Sequence, residues 1–272
     1  MTAQADPPAI TDSVPLSTGT RTLRQWQTLT SRGLLKVLRN GEFVFAFVAP
    51  AFLALCFYLP LRKVMDSTPG MDYGTFLMPI ILLQAMSFAA TSAAMRAAFD
   101  VSQGINTRFR VLPMPGWVPL AARVVTNVAL LLVSMICGVV ACLLIGWRPN
   151  GGFTGTATLF ILTLGIGMLL ALLSDGLGLV ANSPEATSQI LGFPTMILGM
   201  ASTGFVPESR FPEWIQPFAR NQPISQFVQV MRVADSPDPL TWSVAAPTVF
   251  WCVGIAIAAV LMIRAGVRKA RG

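Results

Sequence analysis

The sequence predicts an all-α integral membrane fold with six spanning helices, and three observations predict it. The chain's 272 residues are 54% hydrophobic and only 11% charged, where a soluble domain carries about 25% charged residues. Six apolar runs approach or exceed the roughly 20 residues that a spanning helix requires. Lys and Arg are spread unevenly over the segments that join those runs, which is the bias that sets membrane orientation.

The first segment, residues 1–19, is polar, Pro/Ser/Thr-rich and mildly acidic. It cannot bury enough apolar surface to order itself, so a disordered tail is expected. No positive stretch leads at once into an apolar core, as a cleaved signal would require. Residues 20–40 follow, with "RTLRQWQTLTSRGLLKVLRN" at their heart. Leu23, Trp26, Leu29, Gly33, Leu34, Val37 and Leu38 recur at helical spacing, and Gln25, Thr28, Arg32, Lys36 and Arg39 mark the opposite face. That pattern predicts an amphipathic helix on the inner leaflet, with Trp26 at headgroup depth. Two roles fit it, a plain juxtamembrane anchor or a lever joined to something cytoplasmic.

Residues 41–272 form the membrane domain, with spans expected near 43–61, 74–95, 118–146, 153–180, 186–206 and 243–263. The third and fourth runs exceed the hydrocarbon thickness and should tilt or emerge. Pro50, Pro79, Pro194 and Pro247 fall inside four runs, where prolines are tolerated and mark kinks. Between the fifth and sixth runs, residues 207–242 are too broken for a span. Phe211, Trp214, Ile215 and Phe218 have helix spacing, as do Phe227, Val230 and Met231. Two short helices, a re-entrant hairpin at the outer leaflet, are expected there. Broken backbone at that depth needs protein or a wet cavity to satisfy it.

Orientation follows from the basic residues. With both termini inside, the inner segments hold Arg21, Arg24, Arg32, Lys36, Arg39, Arg96, Arg108, Arg110, Arg123, Arg264, Arg268, Lys269 and Arg271. The outer segments hold Arg62, Lys63, Arg148, Arg210, Arg220 and Arg232, offset by Asp66, Asp72, Glu208, Glu213, Asp235 and Asp238. The net charge of +7 therefore sits inside. It reports topology in a cytoplasmic membrane, not nucleic-acid binding.

Charged groups within spans are expensive and point to function. Arg123 and Asp175 each lie about five residues from an inner span end, hence about 7 Å deep at 1.5 Å per residue. An Arg123–Asp175 ion pair between antiparallel neighbours is expected, a structural pair in preference to an ion relay. Gln84 is the other polar mid-span group.

Several classes of machine are excluded. The chain has no histidine, which removes most triads and histidine metal sites. Cys56, Cys137, Cys142 and Cys252 sit in apolar runs and read as packing groups, not a disulfide or metal framework. The only lysines are Lys36, Lys63 and Lys269, and none closes the glycine-rich loop that cradles ATP phosphates. Midplane ligands for a coupling ion are also missing. Power must then enter from another protein at the inner face. The stretch "DVSQGINTRFRVLPMPGWVPLAAR", residues 100–123, is the only substantial hook there.

That stretch resembles the first cytoplasmic loop of ABC-2-type permeases of the daunorubicin-resistance group, through Gly104, Ile105, Arg108, Phe109, Arg110, Leu112, Pro113 and Ala122-Arg123. "NSPEATSQI" is similar to the family's Asn-x-Glu-Ala before span five, and "STGFVPESRFPEWIQPFARNQPIS" to the segment after it. Asp100 is the only acid of the first loop, and "NQP" replaces the family's Asn-Pro. The resemblance implies a type V ABC exporter-like fold. Two six-span permeases, alike or related, would join two separate ATPase subunits that bind ATP and Mg; this chain would bind no cofactor and catalyse nothing itself. It implies that the loop is a coupling helix docked on the ATPase. Phe99, Ile105 and Phe109 would fill an apolar groove, Arg108 and Arg110 would meet acids, and Asp100, Gly104 and Pro113 complete the set of expected coupling residues. It implies a path lined by spans one, two and five, with Phe45, Phe52, Met78, Gln84, Met86, Phe88, Phe193, Met196 and Met200 as candidates. Their lack of charge suits hydrophobic or amphipathic cargo such as drugs, antibiotics or complex lipids. A polysaccharide or glycolipid exporter and a non-transporting membrane scaffold are the alternatives.

Overall fold

The computed structural model describes residues 18–39, 41–65, 72–111, 113–181 and 183–269. Residues 1–17 of the expected tail lie outside them, as do the side chains of Phe45 and Arg110. Among the described residues all regular structure is helical. In chain order the helices are α1 (Thr18–Arg39), α2 (Glu42–Met65), α3 (Tyr73–Ser102), α4 (Ile105–Arg110), α5 (Trp117–Leu144), α6 (Gly152–Val180), α7 (Pro184–Met200), α8 (Gln216–Asn221), α9 (Pro223–Ala234) and α10 (Trp242–Lys269).

Among the described residues five helices are long and apolar enough to cross a membrane, over Val48–Met65, Tyr73–Ser102, Trp117–Leu144, Gly152–Val180 and Trp242–Lys269. The fifth expected run behaves differently. Ser183 caps α7, accepting from Ala186 N at 3.2 Å, and Pro184 takes the first helical position, both good start signals. The helix then stops at Met200 after 17 residues. That is about 26 Å, just under the roughly 30 Å hydrocarbon thickness. Turns and bends carry the chain on to α8.

Helix α3 is the hub of the bundle. Around its first half Tyr73, Leu77, Met78, Ile80, Ile81, Leu82 and Leu83 are buried, and around its second half Ala89, Ala90, Ala93, Ala94, Ala97 and Ala98. Lipid offers apolar groups no less apolar surroundings than protein does, so helices associate through close packing of small residues. The alanine half shows this directly. A Cβ built on Gly178 of α6 would lie 2.2 Å from the carbonyl oxygen of Ala94, so only glycine allows that approach.

Helices α3 and α5 run antiparallel in a fixed register. A Cβ on Gly74 would lie 2.6 Å from the Ile145 carbonyl oxygen, and one on Gly138 would lie 3.6 Å from the Ala85 Cβ. Further along, Arg96 meets Asn127 and Asp100 meets Arg123. From Ala85 to Asp100 the register holds: eleven residues on to Arg96 match eleven back from Gly138 to Asn127, and four more to Asp100 match four back to Arg123.

The α8–α9 segment packs tightly on the Tyr73 end. The Trp147 indole donates to Asp235 at 2.7 Å, and both residues are buried. Burial pushes the Asp235 carboxyl up from its ordinary value, while the Trp147 indole and the Asn150 amide pull it down. Arg232 donates to the carbonyls of Phe76 and Gly204, each at 3.1 Å, and lies 3.7 Å from the Phe76 ring centre. Tyr73 donates to the Phe205 carbonyl at 3.1 Å, Thr248 to that of Gln226 at 3.0 Å, and Trp251 to that of Asn221 at 3.2 Å. Protein groups thus satisfy the broken backbone, as the sequence requires of it.

Candidate functional site

The site lies at the other end of the bundle, where α3 leads into α4. The chain leaves α3 at Ser102, and Gly104 turns it with φ 64°. That left-handed conformation is open to glycine without the penalty a side chain incurs. Helix α4 follows as six residues, and Pro113 and Pro115 prevent its extension. Asp100 therefore belongs to the last turn of α3, not to the loop where the sequence suggested it.

The expected docking residues divide into two groups. Ile105 is buried at 8% exposure, and Phe109 lies half-buried against its own chain with the Arg32 guanidinium 6.0 Å from its ring centre. Neither presents a free apolar plug. Phe99 is 44% exposed and Val111 is 83% exposed, and Arg108 and Pro113 are exposed too. Sequence reasoning missed Val111 because one exposed valine carries no pattern.

Helix α1 supplies the second wall. Its Leu29–Gly33–Val37 stripe packs inward: Val37 is buried, and Gly33 sits so close to α5 that a Cβ would lie 2.4 Å from the Thr126 hydroxyl oxygen. Leu23, Leu35 and Leu38 are exposed. Part of the polar face meets the loop. Gln25 donates to the Pro113 carbonyl at 3.3 Å, Arg32 covers Phe109, and the Lys36 ammonium stands 5.6 Å from the Phe99 ring centre. Lys36 also meets Asp100 at 3.3 Å. These residues recur at helical spacing, so one face of α1 grips the loop around α4.

Two polar layers cross the bundle beneath that grip. In the upper layer Asp100 accepts from Lys36 of α1 and, at 3.0 Å, from Arg123 of α5. In the lower layer, one turn earlier in α3, Arg96 pairs with Glu42 of α2 and donates to Asn127 of α5 at 2.8 Å. Asn127 in turn donates to Asp175 of α6 at 2.6 Å. Its amide spans the gap between a guanidinium and a carboxylate. Asn127 and Asp175 are only 3% and 4% exposed, so each must find a hydrogen-bond partner. A cavity of about 70 Å³ lies among Arg32, Lys36, Arg96, Asp100, Arg123 and Asp175.

The expected Arg123–Asp175 ion pair is corrected by this arrangement. Arg123 pairs with Asp100 and Asp175 with Asn127, because the α3–α5 register puts Asp100 level with Arg123 and leaves Asn127 level with Asp175. Of the lower layer, Asn127 went unnoticed in sequence and Arg96 was counted only among the inner basic residues. Their signal was present: "MRAAFD" and "ARVVTN" each hold two polar groups four residues apart inside an apolar helix.

The path candidates separate by burial. Met78 and Met86 are fully buried in the packed core. Gln84 is buried against α7, where its side-chain nitrogen would lie 3.0 Å from a Cβ on Gly199. Phe52 of α2, Phe88 of α3, and Phe193, Met196 and Met200 of α7 face outward at 46–64% exposure.

Comparison with known proteins gives a consistent picture. A family model described as "ABC-2 type transporter" matches residues 24–235. The chain is 35% identical over 252 residues to a doxorubicin resistance ABC transporter permease protein, DrrB, of Mycobacterium tuberculosis, covering 87% of this chain and 84% of that one. It is 29% identical over 186 residues to the daunorubicin resistance ABC transporter permease protein DrrB1 of Streptomyces coeruleorubidus, covering 66% and 63%. A probable doxorubicin resistance ABC transporter permease protein, DrrC, of Mycobacterium tuberculosis matches at 25% over 203 residues, covering 73% and 72%.

Proposed function

This chain belongs to the ABC-2 type transporter family, and from that premise we propose that it is the membrane permease of an ATP-driven exporter for amphipathic drugs of the anthracycline type. The observation that carries this reading is the likeness, over most of both chains, to permeases named for doxorubicin and daunorubicin resistance.

The power source is a separate ATPase pair holding ATP and Mg, since no loop in this sequence can cradle a nucleotide. It docks at α4, where Arg108 and Val111 are exposed and the neighbouring helix end offers Phe99. Six crossings put both termini in the cytoplasm. Supporting the sixth, α7 starts beside the α6 end that Lys269 caps, with Val180 O accepting at 3.0 Å, and the chain reaches Tyr73 through Phe205. Cargo passes between this permease and a second one. The outward apolar groups of α2 and α7 form its wall, and buried Met78 and Met86 are withdrawn from that role. One bacterium holds two distinct relatives, at 35% and 25% identity, which favours pairing with a related permease over a second copy.

The test is reconstitution with the partner ATPase in inside-out vesicles, followed by doxorubicin accumulation. ATP-dependent uptake is expected. Hydrolysis that no hydrophobic compound stimulates, with no uptake of any, would point instead to the scaffold reading.

A further inference from the structure

Arg32 and Lys36 stand four residues apart on α1, so their side chains share one face. Each rests by an aromatic ring: the Arg32 guanidinium lies 6.0 Å from the Phe109 centre and the Lys36 ammonium 5.6 Å from the Phe99 centre. A ring attracts a cation without neutralising it. Lys36 shares Asp100 with Arg123. Arg32 pairs with no carboxylate among the described residues. Like charges at this spacing weaken a helix, and Asp100 answers only Lys36 of the two.

Both residues line the cavity of about 70 Å³ that the two polar layers share. At roughly 10–15 Å³ for each water, it has room for about five, the bulk of one phosphate group. The local charge favours an anion. Arg32, Lys36, Arg96 and Arg123 meet Asp100, Asp175 and Glu42, which leaves one positive charge over among the described residues. Arg32, the base without an acid, is exposed, whereas Asp175 is buried at the far end beside Asn127. The same helix exposes Leu23, Leu35 and Leu38, apolar groups that favour hydrocarbon over water.

We infer that this cavity binds the phosphodiester of one anionic phospholipid, drawn from the leaflet on which α1 lies. The Arg32 guanidinium offers parallel donors to two phosphate oxygens, and the Lys36 ammonium adds a point charge to the same group. A phosphodiester carries one negative charge, which matches the charge left over. The acyl chains then lie along the exposed leucines of α1. Basic recesses between membrane helices hold anionic headgroups through the same forces. The site goes beyond the exporter reading and does not depend on it, since it needs only the cavity and a bilayer.

The test uses the full chain in detergent, titrated with phosphatidylglycerol or with phosphatidylcholine of the same acyl chains. Native mass spectrometry counts the retained lipid, and the unfolding temperature follows its effect. One phosphatidylglycerol should be retained and should raise that temperature saturably. Phosphatidylcholine should bind about tenfold more weakly, because its choline brings a cation towards Arg32 and Lys36. Arg32→Gln, at an exposed position, should fold as the parent does. It should weaken phosphatidylglycerol about fivefold, the usual contribution of one basic residue near a charged lipid surface. Lys36→Gln should weaken it as well, and decides the matter if Arg32→Gln folds poorly. Arg24→Gln removes an exposed charge of α1 outside the cavity and should leave binding unchanged. An equal loss in Arg24→Gln would mean diffuse attraction to a basic surface. Inorganic phosphate that reproduced the rise at the same concentration would make a free anion the ligand. Displacement of the lipid by the proposed ATPase would give the site to an acidic segment of that protein. Each of these three results would overturn the inference.

Discussion

Arg123 gives its guanidinium to Asp100 at 3.0 Å, and Asp175, on the neighbouring helix, is met by the amide of Asn127 at 2.6 Å. The consequence can be measured. Asn127→Leu leaves a buried carboxyl without its donor, which costs about 1–3 kcal/mol or more. Thermal unfolding in detergent should show a clear loss for Asn127→Leu, a smaller one for Arg123→Gln, and recovery in the Asn127→Leu/Asp175→Leu double variant. A larger loss from Arg123→Gln would mean that Arg123 is the true partner of Asp175.

The loop around α4 should separate stability from docking. Ile105→Ala removes a buried side chain and should cost about 2–5 kcal/mol, seen as a lower unfolding temperature. Val111→Asp and Arg108→Glu alter exposed positions and should leave that temperature within a degree or so, since such surface changes stay within about 0.5 kcal/mol. Both should instead weaken co-purification of the ATPase. Undiminished co-purification would move the docking surface elsewhere.

Thiol labelling should divide the path candidates. Met196→Cys is on the outward face of α7 and Met78→Cys is in the packed core, at 59% and 0% exposure of the native residues. A maleimide should modify the first and spare the second. Doxorubicin should protect the first if that face lines the path, and labelling that cargo leaves unchanged would remove Met196 from it.

Two glycines of α6 should respond in opposite ways. Gly178→Leu drives a side chain into the Ala94 carbonyl, where even a Cβ would lie at 2.2 Å. It should prevent recovery of folded protein in size-exclusion chromatography. Gly165 has nothing within 4 Å of its Cβ position, so Gly165→Ala should raise stability by up to about 1 kcal/mol, the helix preference for alanine.

Much of this protein was legible in one dimension because membrane burial writes itself into composition. Long apolar runs, punctuated by loops with a basic bias, specified an all-helical membrane protein, and five described helices are long and apolar enough to cross a bilayer. The gripping helix α1 was visible as a two-faced pattern, and Gly104 with Pro113 bounded α4. What the tertiary structure decided was which faces meet. The periodicity of α1 marked out a polar face, and the structure shows that Gln25, Arg32 and Lys36 on it hold the loop and the end of α3. Arg123 and Asp175 lie at similar depth, and depth is all that counting residues can supply. Their partners depend on the rotation and register of α3 against α5, set by Gly74, Gly138 and the other close approaches along that seam. Periodicity shows that a helix has a face, but only packing determines what that face touches.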